Sequence, residues 1–302
     1  MMTLSDRPPA ERLHAAVLDW YAAHGRDLPW RSPGVEPWPV LVSEVMLQQT
    51  PVARVLPAWC GWLERWPTPA DTAAAAPADL LRQWDRLGYP RRALRLQECA
   101  RAVLARHGGA VPTAEADLRA LPGIGPYTAA AVAAFAFGRR AVVLDTNVRR
   151  VLARLLGGTA LPPPHPRREE WTRAEALLPA EPAVAARWGV AVMELGALVC
   201  TARAPRCGVC PLARSCAWRA AGHPADADAG RRRAQPWHGT DRQARGRLLA
   251  ALRAEAEASG EALAEAWPDA AQRERALASL LADGLVEAVG LRFRLPSGSG
   301  ER

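Results

Sequence analysis

Along most of this chain apolar residues recur every three or four positions and seldom alternate, which is the period of helices buried on one face. From residue 8 to 220 the pattern predicts many short helices and an all-α body. Val148, Val151, Leu152 and Leu155 form one such stripe, with Arg149, Arg150 and Arg154 facing elsewhere. The period is lost after Cys216. Gly222 to Pro236 is rich in Gly, Ala, Asp, Pro and Arg, so a linker is placed at 222–239. Helical spacing then returns. Thr240 with Gln243, and Asp269 with Gln272, are capping-box pairs ahead of Leu248, Leu249 and Leu252 and of Leu277, Leu280 and Leu281. Gly284 ends the second helix. Leu291, Phe293 and Leu295 alternate with Arg292 and Arg294, and Gly290 separates them from Leu285, Val286 and Val289, as in a hairpin. Helices closed by a hairpin predict a small winged-helix-like module over 240–297.

A length of 302 residues, 49% of them apolar, suits about two well-cored domains. No run of apolar residues is long enough to span a bilayer, and no apolar core follows the first residues, so a cytoplasmic protein without a membrane anchor is expected. Clustered cysteines in such a reducing compartment point to metal. The net charge of +8 suits a polyanionic partner such as nucleic acid. All 39 basic side chains are arginine, so no side-chain amine is present to form a Schiff base.

Cys200, Cys207, Cys210 and Cys216 follow the spacing C-x6-C-x2-C-x5-C. A four-iron cube takes one thiolate per corner from an unevenly spaced loop, whereas structural zinc usually takes two close pairs, and only Cys207 and Cys210 form one. The spacing favours an iron–sulfur cluster over zinc, with disulfides last. Cys60 and Cys99 read as buried thiols.

Three further segments carry candidate chemistry. Leu121 to Pro126 lies between helical segments; Gly123 and Gly125 permit close backbone approach, and Pro126 opens a helix whose free N–H groups suit a phosphate, the signature of a helix-hairpin-helix. Asp145 stands ahead of the Val148 stripe as an N-cap. A carboxylate accepting helix N–H bonds is expected to have a depressed pKa and to stay anionic. Glu44 sits in an apolar helical run that Pro51 interrupts, where a carboxyl titrates high.

Taken together, Glu44 to Thr50, Leu87-Gly88-Tyr89, Leu121 to Tyr127, Leu144 to Asn147 and the four cysteines resemble the MutY-type adenine DNA glycosylases, iron–sulfur members of the helix-hairpin-helix superfamily. The likeness covers roughly residues 10 to 220. It implies a [4Fe-4S] cluster on the four cysteines and a monomeric, nucleoid-associated bacterial enzyme. Its substrate is double-stranded DNA in which adenine is mispaired with 8-oxoguanine or guanine, and the adenosine is flipped out before cleavage. Glu44 falls on the acid that protonates the departing base and Asp145 on the carboxylate that stabilises the sugar cation, with Asn147 and Tyr127 beside them. Gln48, Gln49, Thr50, Leu87 and Tyr89 fall on positions that face the duplex, and Gly123 and Gly125 on the hairpin that holds phosphate.

Tyr127 stands where bifunctional relatives carry an attacking lysine, so the resemblance implies hydrolysis without a lyase step. The tail is too short for the nucleotide-hydrolase-like domain that many relatives carry. Two rivals remain: a thymine glycosylase for T:G mismatches, for which a buried acid has less use, and a non-catalytic DNA-binding protein with a cluster.

Overall fold

The computed structural model describes residues 9–231 and 237–298, so part of the expected linker lies outside the described residues. Contacts divide these residues into two units. The first takes 9–40, 113–119 and 125–231, and the second 41–112, 120–124 and 237–298.

In the first unit the helices Ala10–His24, Thr146–Leu155 and Pro182–Leu198 share one core. The predicted stripe of Val148, Val151, Leu152 and Leu155 meets Leu13 and Val17 from the first of these helices, and Trp188, Val192 and Leu195 from the last. Arg149, Arg150 and Arg154 are turned away from the stripe, yet all three are buried rather than solvated. Each is answered by acceptors inside the protein. Arg149, for instance, grips Glu170 through Nε at 2.8 Å and Nη2 at 2.9 Å.

In the second unit the helices Val52–Arg65, Pro77–Trp84 and Arg91–His107 enclose Trp62, Trp84, Leu80, Leu81 and Leu96. Cys99 is buried as expected, and burial pushes its thiol up to about 12. Cys60 is a correction: it is exposed on the amphipathic helix Val52–Arg65, whose buried residues are Val55, Trp59 and Trp62.

The C-terminal segment belongs to this same unit. It runs helix Asp241–Ala254, strand Ala258–Ser259, helices Gly260–Ala266 and Ala270–Ala282, then strands Glu287–Val289 and Arg292–Arg294. The last strand is central in an antiparallel sheet, with Phe293 opposite both Ala258 and Ala288. This order is that of a winged helix. Both predicted caps form: the Thr240 hydroxyl accepts from the Gln243 N–H and the Asp269 carboxylate from the Gln272 N–H. Leu248, Leu252, Leu263, Leu280 and Leu285 supply the module's own core. It also docks within the unit, since Arg253 Nε donates to the Leu81 carbonyl at 3.0 Å and Arg91 pairs with Asp283 at 3.2 Å. Among the described residues no helix is long and apolar enough to cross a membrane.

Glu194 is the first unit's most enclosed carboxylate. Its side chain is fully buried, and Arg26 meets it at 2.6 Å and Arg31 at 2.9 Å. Burial raises the carboxyl, but the Arg26 hydrogen bonds and the Arg31 charge outweigh it, so the pKa lies below the usual glutamate value. A depressed folded pKa stabilises the fold above the unfolded value of about 4.3, and that stability fades as pH falls through the folded value. Glu194→Gln is expected to cost about 2–3 kcal/mol at neutral pH, low for a broken buried pair because Arg26 is partly solvated. Chemical denaturation from pH 7 to 3 checks this: wild type should lose its advantage over Glu194→Gln toward the acid end, and a pH-independent gap would contradict it.

Candidate active site

Asp145 is the N-cap of Thr146–Leu155, and its Oδ1 accepts from the Val148 N–H at 2.6 Å. Its Oδ2 accepts from Asn147 Nδ2 at 2.7 Å. The residue keeps part of its surface, but the carboxyl itself is enclosed by protein. Burial therefore pushes its pKa up, while the Val148 and Asn147 donors and the Arg150 charge pull it down. The net direction is upward, which corrects the expectation of a depressed value: donors can be counted from a helix start, whereas the enclosure comes from the surrounding fold.

Asn147 is itself held. Arg150 Nη2 donates to Asn147 Oδ1 and to the Gly196 carbonyl, both at 2.7 Å, and Arg150 Nε donates to the Cys200 carbonyl at 2.7 Å. Gly196 lies so close that an added Cβ would stand 2.7 Å from that of Asn147, so only glycine fits. One string of hydrogen bonds thus runs from the cysteine loop through Arg150 and Asn147 to Asp145. Arg154 braces the loop beside it, donating to the Thr201 carbonyl at 2.8 Å and approaching Cys200 Sγ at 3.3 Å. Tyr127, partly exposed, stands in the first turn of Pro126–Phe137 in the same unit.

Glu44 belongs to the second unit, near the end of helix Pro37–Leu47. It is 3% exposed, and its neighbours Val42, Ser43, Val45 and Met46 are buried with it. Just beyond, Gln48 is partly exposed and Gln49 exposed, while Thr50 is buried. Gln49 has φ +56° and Tyr89 φ +46°, a region that non-glycine residues seldom occupy, at about 1–3 kcal/mol each.

A single guanidinium holds both strained stretches. Arg92 Nη1 donates to the carbonyls of Val45 at 2.9 Å, Met46 at 3.1 Å and Gln48 at 2.6 Å. Its Nη2 reaches the Thr50 hydroxyl at 2.9 Å and the carbonyls of Leu87 at 3.2 Å and Gly88 at 3.1 Å. The Thr50 hydroxyl closes the clamp by donating to the Leu87 carbonyl at 2.9 Å. Burial lowers the Arg92 pKa to about 10, which still leaves it charged at neutral pH. Thr50 and Leu87 are buried side chains, so in the free protein they tie the loops together and leave Gln49 and Tyr89 outward.

The predicted hairpin forms its turn. The Ile124 N–H donates to the Leu121 carbonyl at 3.2 Å, Gly123 has φ +78°, and Gly125 is the N-cap of Pro126–Phe137 with no side chain capping it. Gly123, Gly125 and Pro126 are exposed. An exposed helix start with no side-chain cap is a place suited to an anion.

Residues 42–175 match the model of the HhH-GPD superfamily base excision DNA repair proteins, and residues 200–216 match the iron-sulfur binding domain of endonuclease III. An adenine DNA glycosylase of Mycobacterium tuberculosis strain H37Rv is 55% identical over 285 residues, which are 93% of this chain and 92% of that protein. The chain belongs to the adenine DNA glycosylase family. A second member, from Mycolicibacterium smegmatis, is 53% identical over 94% of this chain and 96% of its own. The solved structure of a thermostable thymine-DNA glycosylase, 28% identical, superposes with a TM-score of 0.63 over 70% of this chain and 97% of that one.

The family's iron–sulfur cluster suits the four cysteines as they are placed. The four thiols are grouped together, close enough for Cys200, Cys216 and Cys207 each to act on Cys210. Burial pushes Cys210 up to about 11, with repulsion from Cys200, Cys216 and Cys207 adding to it. Four thiolates in one loop suit the four corners of the [4Fe-4S] cube, and binding it must displace their protons. Bound there, the cube supplies a four-way cross-link of residues 200–216.

Two functional residues of this glycosylase were missed by sequence reasoning, Arg92 and Arg150. Each acts mainly on backbone carbonyls far along the chain, which leave no side-chain pattern to find. Arg92→Met is expected to destabilise the protein by about 2–4 kcal/mol. It should also speed amide exchange in 47–50 and 87–90 more than elsewhere. Mass-spectrometric hydrogen exchange checks this, and unchanged protection in both stretches would contradict the clamp.

Proposed function

We propose that this chain is a monofunctional base-excision enzyme that hydrolyses the N-glycosidic bond of adenine mispaired with 8-oxoguanine or guanine in double-stranded DNA. The observation that carries the reading is that its two candidate carboxyls occupy unlike surroundings. Glu44 is almost wholly buried, and Asp145, partly exposed as a residue, receives hydrogen bonds from Val148 and Asn147.

Adenine is a poor leaving group until a ring nitrogen carries a proton, so departure needs a neutral acid. A carboxyl as buried as that of Glu44 suits that task, because burial disfavours its charged form. As the bond to the sugar breaks, positive charge develops on the sugar, and an anionic Asp145 steadied by its donors stabilises it. Water then adds to the sugar carbon and its proton is lost, leaving an intact abasic site. With no lysine in the chain, no side-chain amine competes with that water.

Binding follows from the same surfaces. The uncapped helix start at Gly125 holds a phosphate without reading sequence, while Gln49 and Tyr89 meet the duplex. Removing adenine from its stack leaves a gap that an aromatic such as Tyr89 fills. The enzyme acts as a monomer at the nucleoid. The structural likeness to a thymine-DNA glycosylase keeps T:G mismatches as the comparison substrate, although thymine offers no N7 to Glu44.

The reading predicts that Glu44→Gln and Asp145→Asn each slow single-turnover adenine release by about 10²–10⁴-fold while affinity for the mispaired duplex persists. Wild type should release adenine from A:8-oxoG and A:G duplexes in preference to thymine from T:G, and borohydride should trap no covalent adduct. Because burial raises the Asp145 carboxyl and the reaction needs its anion, the rate should rise with pH through a limb above the ordinary aspartate value of about 3.9. A limb at or below that value, or release unaffected by either substitution, contradicts the mechanism.

A further inference from the structure

The candidate wedge Tyr89 does not stand alone on the surface. Arg242, from the first turn of the C-terminal helix Asp241–Ala254, places its guanidinium 5.1 Å from the Tyr89 ring centre and 5.4 Å from that of Trp237. Tyr89 is 43% exposed and Trp237 48% exposed. A cation over two rings that are both exposed forms a cation–π stack at the surface. Arg92 approaches the Tyr89 ring as well, at 5.6 Å, so the stack is continuous with the clamp that fixes the recognition loops.

Two observations argue that this arrangement serves a ligand rather than the fold. A positive charge in the first turn of a helix opposes the helix dipole, so Arg242 sits where it weakens its own helix. Among the described residues it also makes no ion pair, whereas Arg245, one turn on, pairs with Asp283 at 2.6 Å. Exposed aromatic rings are likewise unfavourable until something planar covers them.

We propose that Arg242, supplied by the C-terminal module, is a specificity residue for DNA. Held between Tyr89 and Trp237, it seats the base left without a partner once the mispaired nucleotide is extruded. The rings supply stacking surface, and the guanidinium, kept in plane by them, presents its donor fork to the edge of that base. The winged-helix module is thereby part of the lesion-reading surface. This inference rests on the function proposed above, with the tail supplying the contact to the opposite base.

The test compares full-length Arg242→Ala, Arg242→Lys and Trp237→Leu with Arg247→Ala, a charge-matched control on an exposed residue of the same helix. Fluorescence anisotropy measures affinity for a duplex carrying A:8-oxoG and for its fully paired counterpart, each across a salt series. Arg242→Ala and Trp237→Leu should each lose about tenfold in affinity for the mispaired duplex and much less for the paired one. Arg242→Lys should keep the positive charge, and with it the salt slope, without restoring that discrimination. Arg247→Ala should weaken both duplexes alike. Equal losses in Arg242→Ala and Arg247→Ala, or discrimination rescued by lysine, would overturn the inference and reduce Arg242 to bulk charge. Adenine release by wild type is scored in parallel. Its absence would remove the proposed function and leave the discrimination ratio to decide the role of Arg242 by itself.

Discussion

In the proposed mechanism Asp145 is negative at the moment of reaction, and its carboxyl stands in a place the fold has largely closed to water. Enclosure favours its proton; the Val148 and Asn147 hydrogen-bond donors and a nearby arginine favour its charge. The balance depends on those donors staying in place, and Asn147 stays because Arg150 ties it to the Gly196 and Cys200 carbonyls. The cysteine loop is therefore a mechanical support for the carboxylate. Fixing residues 200–216 around a cluster would fix the far end of the string, and in the proposed mechanism that would give a structural centre a direct bearing on chemistry without any change of redox state.

The second unit solves a different problem with the same residue type. Gln49 and Tyr89 adopt backbone angles that cost free energy, and each would relax if released. Arg92 prevents that by satisfying carbonyls on both stretches at once. Arginine suits the task better than lysine would, since its planar fork meets several acceptors at fixed angles and remains charged when buried. In a chain with no lysine, arginine thus serves as scaffold in at least three places, at positions 92, 150 and 154, besides contributing to the net charge.

Much of this was legible in the sequence, and the part that was not has a common cause. Helical spacing gave the all-α body, the apolar stripe after Asp145 gave its cap, and the caps at Thr240 and Asp269 gave the tail helices, because each signal lies within a few residues of its effect. Strand Ala258–Ser259 escaped because two residues carry no alternation. The burial of Arg149, Arg150 and Arg154, the exposure of Cys60 and the upward shift of Asp145 depend on what packs there from distant segments. The docking of the tail by Arg253 onto the Leu81 carbonyl is invisible for the same reason.

The central claim is that a proton delivered to adenine, from an acid kept neutral by its surroundings, makes the base leave. Replacing the scissile adenine by 7-deazaadenine, which keeps its shape and pairing edge but has carbon in place of N7, tests this most directly. The account predicts that the substituted duplex binds as well as the natural one and is not cleaved in single-turnover assays, and that Glu44→Gln has nothing further to remove. Release of 7-deazaadenine at a rate near that of adenine, or an equal slowing of both bases by Glu44→Gln, would contradict it.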